Sequence, residues 1–321
     1  MWFRCLLTLA SLIVFAASAA EPPIVAILAM GTDPAAKLPR WVRFHDRMRE
    51  LGWRDGDNVR FRPRFAQGDI AKADAILRGF VAADVAIVVV TGATEALAAQ
   101  RATSTIPIVM LHVDDPVELG LVRSLSQPGG NITGRSSRPP GISGKHLELI
   151  ATMVPFARRA VYGRGGTGSR EHDEQIGAAA KMLGLAYLQS DLPSDRNFDA
   201  WAERMKHEGV DVAVFVLDRF TFAPPYNAAL AAALIKHRLP AICGAAEYAD
   251  AGCLMSYGAP TLDHYAVGAE FVDRILRGAK PADLPVDQPT KFELVINART
   301  AKALDIKIPQ MLRLRADRVI E

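Results

Sequence analysis

The residues best placed for chemistry follow short apolar runs, at the points where buried strands would end. Thr91-Gly92-Ala93-Thr94 comes directly after the aliphatic run 85–90 and opens a helical pattern. Backbone N–H groups and the dipole at a helix start attract anions, and small residues let a ligand approach the backbone. We therefore expect a ligand contact at Thr91, Gly92, Ala93 and Thr94, with helix capping by Thr91 or Thr94 as the alternative.

Carboxylates and further small residues follow other apolar runs. Asp218 ends the run 212–217, where its carboxylate can pair with a ligand ammonium group; the alternative is a salt bridge to Arg219 or a helix cap. Asp115 precedes Pro116 and is a second candidate, with a turn-capping role as its alternative. The same position after a strand adds three residues to the predicted ligand site: Gly31, Thr32 and Tyr162.

Two weaker signals concern stacking and metal binding. Four aromatic residues near these loops can stack on a flat ligand, although most aromatic residues belong to a core: Phe220, Phe222, Tyr226 and Tyr248. His112 and Asp114 offer two metal ligands, but no third is visible in the sequence. We therefore expect no metal site.

Residues 163–168, Gly-Arg-Gly-Gly-Thr-Gly, fit the G-x-G-x-x-G pattern of dinucleotide-binding loops, with Asp191 as a possible ribose-binding acid. The pattern starts mid-chain, and no clear hydride chemistry follows it, which favours a flexible glycine loop. The P-loop, G-x-S-x-G and H-E-x-x-H motifs are absent. The sequence therefore predicts a binding protein, not an enzyme, with no cofactor and no catalytic residues.

The elements that must position these residues alternate along the chain. Apolar runs alternate with helical patterns, and the runs are continuous, as in parallel strands buried on both faces. Residues 128–131, Pro-Gly-Gly-Asn, divide the chain into two similar halves. We predict an α/β fold of two doubly wound parallel-sheet lobes, with a helix at 117–125 and the last strand at 292–296. Ligands bind beyond the carboxyl ends of such strands.

The N-terminal residues predict export. Arg4 precedes an uncharged apolar run, and small residues follow at 17–20, so we expect a signal peptide over residues 1–20. That run is too short to span a membrane. The 321 residues carry a net charge of +3 with no block of like charge, which argues against nucleic acid as a partner. Whether Cys243 and Cys253 form a disulfide stays open.

Several segments, taken in order, resemble a known family. They are residues 102–109 (ATSTIPIV), 115–122 (DPVELGLV), 125–134 (LSQPGGNITG), 143–149 (SGKHLEL), 255–258 (MSYG), 278–285 (GAKPADLP) and 291–297 (KFELVIN). Together they resemble the ABC-transporter substrate-binding family that includes the tryptophan and tyrosine binding proteins. The resemblance covers nearly the whole chain after residue 20.

The resemblance implies the type I periplasmic-binding-protein fold with three hinge crossings. They would fall near residues 133–134, 254–258 and 285–291, so that residues 21–133 and 258–285 form lobe one, and residues 134–257 and 286–321 form lobe two. It also implies ligand contacts at Ser136 and Ser137, and supports those proposed above at 91–94, Asp115 and Asp218.

The expected function is therefore solute capture for an ABC importer in the periplasm. The ligand would be a small polar solute, with an amino acid as one candidate, and the protein partners an inner-membrane permease with its ATPase. We expect a monomer. Two alternatives are an exported sensing module for a membrane receptor and, less favoured, a dinucleotide-dependent enzyme that uses the loop 163–168.

Overall fold

The first half of the chain forms a parallel sheet. The computed structural model describes residues 21–31, 38–137, 141–165, 170–216 and 224–321, with the backbone alone for 170–173. Sheet one has the spatial order β2-β1-β3-β4-β5, a common order of doubly wound sheets. Its strands are β1 (Ile24–Ala29), β2 (Arg60–Phe65), β3 (Ile87–Val90), β4 (Ile108–Val113) and β5 (Ile132–Ser136), all parallel.

Helices cover both faces of sheet one because the strand side chains alternate between the faces. The helices in this part of the chain are α1 (Pro39–Glu50), α2 (Ile70–Ala82) and α3 (Ala93–Ala102). Ile27 of β1 belongs to the core cluster that contains Phe44 of α1. The next residue, Leu28, belongs to the opposite cluster with Leu77 of α2. Strand β1 is therefore buried on both sides, as its continuous apolar sequence predicts.

The second half forms sheet two, with the order β12-β11-β10-β9-β8-β6-β7. Its strands are β6 (Arg159–Arg164), β7 (Ala186–Asp191), β8 (Val212–Phe215), β9 (Ala241–Cys243), β10 (Met255–Gly258), β11 (Glu293–Asn297) and β12 (Arg318–Ile320). The helices that precede β10 are α4 (Ile142–Met153), α5 (Arg170–Met182), α6 (Phe198–His207), α7 (Tyr226–Lys236) and α8 (Ala246–Asp250). Two core clusters occupy the two faces of this sheet.

The chain crosses back to sheet one after β10. Helix α9 (Thr261–Leu276) packs on α1, β4 and β5, and a 3-10 turn follows at Pro281–Asp283. The chain then returns through β11, α10 (Ala298–Ala303), α11 (Gln310–Arg315) and β12. Strand β11 pairs antiparallel to β10 because it enters sheet two from the end where β10 leaves it. We call sheet one with α1–α3 and α9 lobe one, and sheet two with the other helices lobe two.

The returning segment is held against the end of β5. The N–H of Asp287 donates to the carbonyl of Gly134 at 2.9 Å, and the N–H of Ser136 donates to the carbonyl of Asp287 at 2.9 Å. Between them Arg135, whose side chain is 7% exposed, places Nε 3.1 Å from Oδ2 of Asp287. Two crossings between the lobes therefore lie side by side.

The structure confirms the predicted α/β fold of two lobes and corrects two details. Residues 117–125 form turns rather than a helix. Gly120 there has a φ of +66°, outside the range of a right-handed helix. Strand β12 lies beyond 292–296, so that segment is not the last strand.

Two further findings concern the cysteines and the membrane. Cys243 of β9 and Cys253 are joined by a disulfide, which the sequence left open. Within the residues the structure describes, no helix is both long and apolar enough to span a bilayer.

Candidate functional site

A cleft lies between the two lobes, close to the crossings. Its volume is about 400 Å³, part of which is open to solvent. Lobe one contributes polar side chains: His112, Asp114, Ser137 and His264. Lobe two and the segment after β10 contribute the other lining residues: Ile142, His146, Val216, Gly244, Tyr257, Gly258, Ala259 and Phe292. Clefts with this mixture of aromatic walls and a few convergent polar groups are typical ligand sites.

The residues at the end of β4 form the polar wall of the cleft on the side of lobe one. Asp114 follows β4, and its backbone carbonyl accepts a hydrogen bond from Ser136 Oγ at 3.0 Å. Its Oδ1 accepts a hydrogen bond from Ser137 Oγ at 2.5 Å. Two serines at the end of β5 therefore fix the aspartate at the end of the neighbouring strand, since the carboxyl ends of parallel strands meet at one edge.

Two histidines stack beside this aspartate. The rings of His112, in β4, and His264, in α9, lie 4.2 Å apart with an angle of 26° between their planes. Nε2 of His112 and Nδ1 of His264 are buried without hydrogen-bond partners. Removal from water lowers the pKa of His112 to about 4, against the opposing charge of Asp114. Burial also lowers the pKa of His264 well below its usual value. Both rings are therefore neutral near pH 7.

The opposite wall is aromatic. The rings of Tyr257, in β10, and Phe292, just before β11, stack with centroids 5.6 Å apart and an angle of 29°. Nε2 of His146, in α4, lies 2.5 Å from the carbonyl oxygen of Tyr257. Burial raises the pKa of the Tyr257 hydroxyl. This wall offers flat apolar surface on which a ring can stack.

A buried carboxylate joins two of the loops predicted from the sequence. Glu95, in the first turn of α3, is 3% exposed. Its Oε1 accepts a hydrogen bond from the N–H of Met30 at 3.0 Å and from Oγ1 of Thr91 at 2.7 Å. The loop after β1 and the loop after β3 are therefore held together by one side chain. A Cβ on Gly92 would lie 3.2 Å from Oε2 of Glu95, so this position has little room for a side chain.

Sequence comparison adds to this geometry. The family described as ABC transporter substrate binding protein matches residues 25–320. This chain belongs to that family. The tyrosine-binding protein of Clostridioides difficile is 28% identical over 278 residues, which are 85% of this chain and 76% of that protein.

Solved structures of similar proteins agree with the family assignment. A conserved domain protein from Vibrio cholerae superposes with a TM-score of 0.85 at 27% identity, covering 93% of this chain and 100% of that one. An ABC domain from Streptococcus pneumoniae in complex with L-Trp gives a TM-score of 0.85 at 25% identity, covering 94% and 100%. The ligand-free, open form of CD0873, a substrate binding protein from Clostridium difficile, gives 0.68 at 21% identity, covering 93% and 99%.

The site residues predicted for this substrate-binding protein fall into three groups. Ser137 lines the cleft, and Oγ of Ser136 donates a hydrogen bond to the backbone carbonyl of Asp114. Gly31, Thr91 and Gly92 lie on the two loops that Glu95 joins, and Ala93 and Thr94 open helix α3. None of these five is among the described residues that line the cleft. Thr32 and Asp218 lie outside the described residues, as do Phe220 and Phe222.

The remaining predicted residues occupy structural positions. Oδ1 of Asp115 accepts a hydrogen bond from the N–H of Glu118 at 2.9 Å, which is the turn-capping alternative. Tyr162, in β6, is 2% exposed and belongs to a core cluster of lobe two. Tyr248 is likewise buried at 1% exposure, and the guanidinium of Arg196 lies 3.6 Å from the ring centroid of Tyr226.

The glycine-rich motif begins inside a strand. Gly163 and Arg164 belong to β6, and a Cβ on Gly163 would overlap the ring of Phe215. Nε of Arg164 donates to Oδ1 of Asp191 at 2.6 Å, so the acid considered for ribose binding is paired with the motif's own arginine. The first glycine therefore serves close packing between strands, and residues 166–169 lie outside the described part.

Most lining residues of the cleft were not predicted from the sequence, and four of them carry rings. His146, Tyr257, His264 and Phe292 come from helix and crossing segments rather than from loops after parallel strands. A signal was available for Tyr257, which lies in the predicted crossing 254–258. His112 was considered only as a metal ligand, whereas Asp114 also lies on a loop at the end of a predicted strand. The described residues contain no group of three or more side chains arranged to hold a metal ion.

Proposed function

We propose that this family member captures an amino acid with an aromatic side chain and delivers it to an ABC importer. The observation that carries the proposal is the two-sided cleft. Polar acceptors of lobe one face the stacked Tyr257 and Phe292 across the cleft. The names of two relatives, a tyrosine-binding protein and a domain in complex with L-Trp, support the same ligand class.

The proposal includes the route and the partners. Residues 1–20 act as a signal peptide, and the mature protein works as a periplasmic monomer that docks on an inner-membrane permease with its ATPase. The proposed lobes are residues 21–133 with 258–285 and residues 134–257 with 286–321, except that the end of β5 up to Ser136 stays in sheet one. The chain passes three times between the two sheets, which supports a hinge at these points.

Ligand capture follows from the geometry of the hinge. Hinged lobes close around a ligand when contacts from both sides stabilise the closed state. Here lobe one supplies hydrogen-bonding groups, and lobe two supplies the ring-stacking surface. A ligand that contacts both walls shifts the population toward closure by its differential affinity for that state. No bond of the ligand needs to change.

Titration calorimetry with the mature protein tests the proposal. L-tryptophan and L-tyrosine should bind, and L-alanine should bind far more weakly because it lacks a ring. The Phe292→Ala variant should weaken binding about tenfold, since an aromatic contact and its buried area are lost. Phe156→Ala is the matched control, because Phe156 is 70% exposed.

Two outcomes would count against this function. Equal affinity for L-alanine and L-tryptophan would remove the aromatic side chain from the assignment. Failure of purified protein to support amino-acid uptake into vesicles that carry the permease and its ATPase would favour the sensing alternative.

A further inference from the structure

A buried histidine of the cleft has one ring nitrogen without a hydrogen-bond partner. His264 is 1% exposed and lies in the cleft lining. One ring nitrogen donates a hydrogen bond to the backbone of Leu111. In a neutral imidazole the other nitrogen is then an acceptor, and Nδ1 of His264 is buried without a partner. A buried acceptor without a partner is unfavourable, so a donor supplied by a ligand would stabilise this arrangement.

The surroundings of His264 select the kind of donor. Asp114 is the one carboxylate among the described lining residues, and those residues include no Lys or Arg. Two arginines outside the lining also act on the rings: Arg135, which is directed to Asp287 and to the carbonyl of Asp263, and Arg40, whose charge helps to lower the pKa of His112. Within the lining itself, one carboxylate lies beside imidazole acceptors, an arrangement that suits a positively charged donor.

We infer that His264, together with His112 and Asp114, forms the subsite for the protonated amine of the ligand, and that His264 determines the preference for amines. The inference rests on the proposed function and deepens it. The amine would lie at the lobe-one end of the cleft, and the ring would point toward Tyr257 and Phe292. His112 stacks on His264 and fixes the plane of its ring.

The neutral state of the histidines matters for this role. A protonated imidazole has no acceptor nitrogen and would repel an ammonium group. Burial lowers the pKa of both rings, so the acceptor form is present at pH 7. The subsite thus requires no proton uptake or release when an amine binds near neutral pH.

The test combines one change in the protein with one change in the ligand. Calorimetry at pH 7.5 compares L-tryptophan with indole-3-propionate, which lacks the amine, and L-tyrosine with 3-(4-hydroxyphenyl)propionate. The wild-type protein should prefer the amine of each pair by at least about tenfold, because a hydrogen bond to a charged group is worth more than a neutral one. The His264→Phe variant should lose about tenfold for the amine and little for the analogue without it.

Two variants keep the test decisive. His207→Gln, on the exposed face of α6, should behave as wild type toward all four compounds. If His264→Phe folds poorly, His264→Gln replaces it, because the amide oxygen can still accept a hydrogen bond and should retain the amine preference.

The outcomes separate the subsite from the function. Equal weakening of amine and analogue by His264→Phe would show a structural role and overturn the subsite, while the transport function would stand. Equal wild-type affinity for both members of a pair would overturn it as well. If the wild-type protein binds none of the four compounds, the ligand class and the inference fail together.

Discussion

The two walls of the cleft are built in different ways. The wall from lobe one consists of polar groups at the ends of parallel strands, held by short side-chain hydrogen bonds such as those from Ser136 and Ser137 to Asp114. The wall from lobe two consists of rings on the crossing segments, Tyr257 on β10 and Phe292 before β11. One wall is positioned by sheet edges, and the other by the segments that link the lobes.

This difference separates two requirements of a hinged binding protein. Hydrogen-bonding groups need fixed directions, and strand ends braced by buried partners provide them. Stacking surfaces tolerate a broader range of orientations, so they can lie on segments that would move in the proposed closure of the lobes. We therefore expect changes in lobe one to alter ligand selectivity, and changes at the crossings to alter closure and stability.

The largest change in stability is expected when the aromatic wall is displaced. A Cβ on Gly258 would overlap the carbonyl oxygen of Gly244 in the adjacent loop. Gly258→Ala should therefore lower the free energy of unfolding by about 3 kcal/mol or more, because backbone atoms must shift to make room. Urea unfolding with calorimetry on the same samples measures both stability and affinity.

The matched control lies in lobe one. Gly79 sits in α2, and no atom lies within 4 Å of a Cβ placed there. Gly79→Ala should stabilise the protein by about 0.5–1 kcal/mol through lower chain entropy in the unfolded state. If Gly258→Ala unfolded like wild type, close backbone packing at the second crossing would not control the aromatic wall.

The polar wall should make the free energy of unfolding depend on pH. The ordinary pKa of histidine is 6.5, and that of His112 in the folded protein is about 4. Between these values the unfolded chain binds a proton that the folded protein does not, so the free energy of unfolding falls as the pH is lowered through this range. The loss from His112 alone should be no more than about 3 kcal/mol.

The comparison variant is His112→Phe, which keeps a flat ring against His264. Urea unfolding at pH 7 and pH 4 should show a smaller loss of stability in this variant than in wild type. Carboxylates contribute to the pH dependence of both proteins and cancel in the difference. An equal loss in the two proteins would contradict the assignment of a buried, neutral imidazole to the polar wall.

The sequence predicted the architecture well because a strand buried on both faces shows as a continuous apolar run. Aliphatic runs such as 85–90 can belong only to interior segments, and their alternation with helical patterns indicates parallel sheets. It also predicted ligand-binding loops at strand ends, and the family resemblance added Ser137, which lines the cleft. Asp115 shows the limit of that rule, because a carboxylate before proline can cap its own turn instead.

The rest of the cleft depends on contacts between distant parts of the chain. His264 contacts His112 because α9 packs on sheet one. Most of lobe two lies between these two residues in the sequence. Tyr257 meets Phe292 through the antiparallel pairing of β10 and β11, which depends on where the chain re-enters sheet two. No local pattern encodes either encounter, so periodicity and motifs could not reveal them.

The last prediction concerns the brace that Glu95 forms between the loops after β1 and β3. Glu95 holds the N–H of Met30 and the hydroxyl of Thr91 with one oxygen, and it lies in the first turn of α3, where the helix dipole favours a negative charge. Glu95→Gln keeps an acceptor but removes the charge, so unfolding free energy should fall by about 1 kcal/mol; Glu95→Ala leaves two donors without a partner and should cost about 2 kcal/mol.

Affinity should follow the same order if these loops help to shape the cleft. Wild type should bind L-tryptophan best, Glu95→Gln less well and Glu95→Ala least, measured by calorimetry beside urea unfolding. Glu118→Gln is the control, because that side chain is exposed in the same lobe. If stability falls in this order while affinity stays constant, the brace supports only the core of lobe one, and the loops at Gly31 and Thr91 would lose their predicted place in the ligand site.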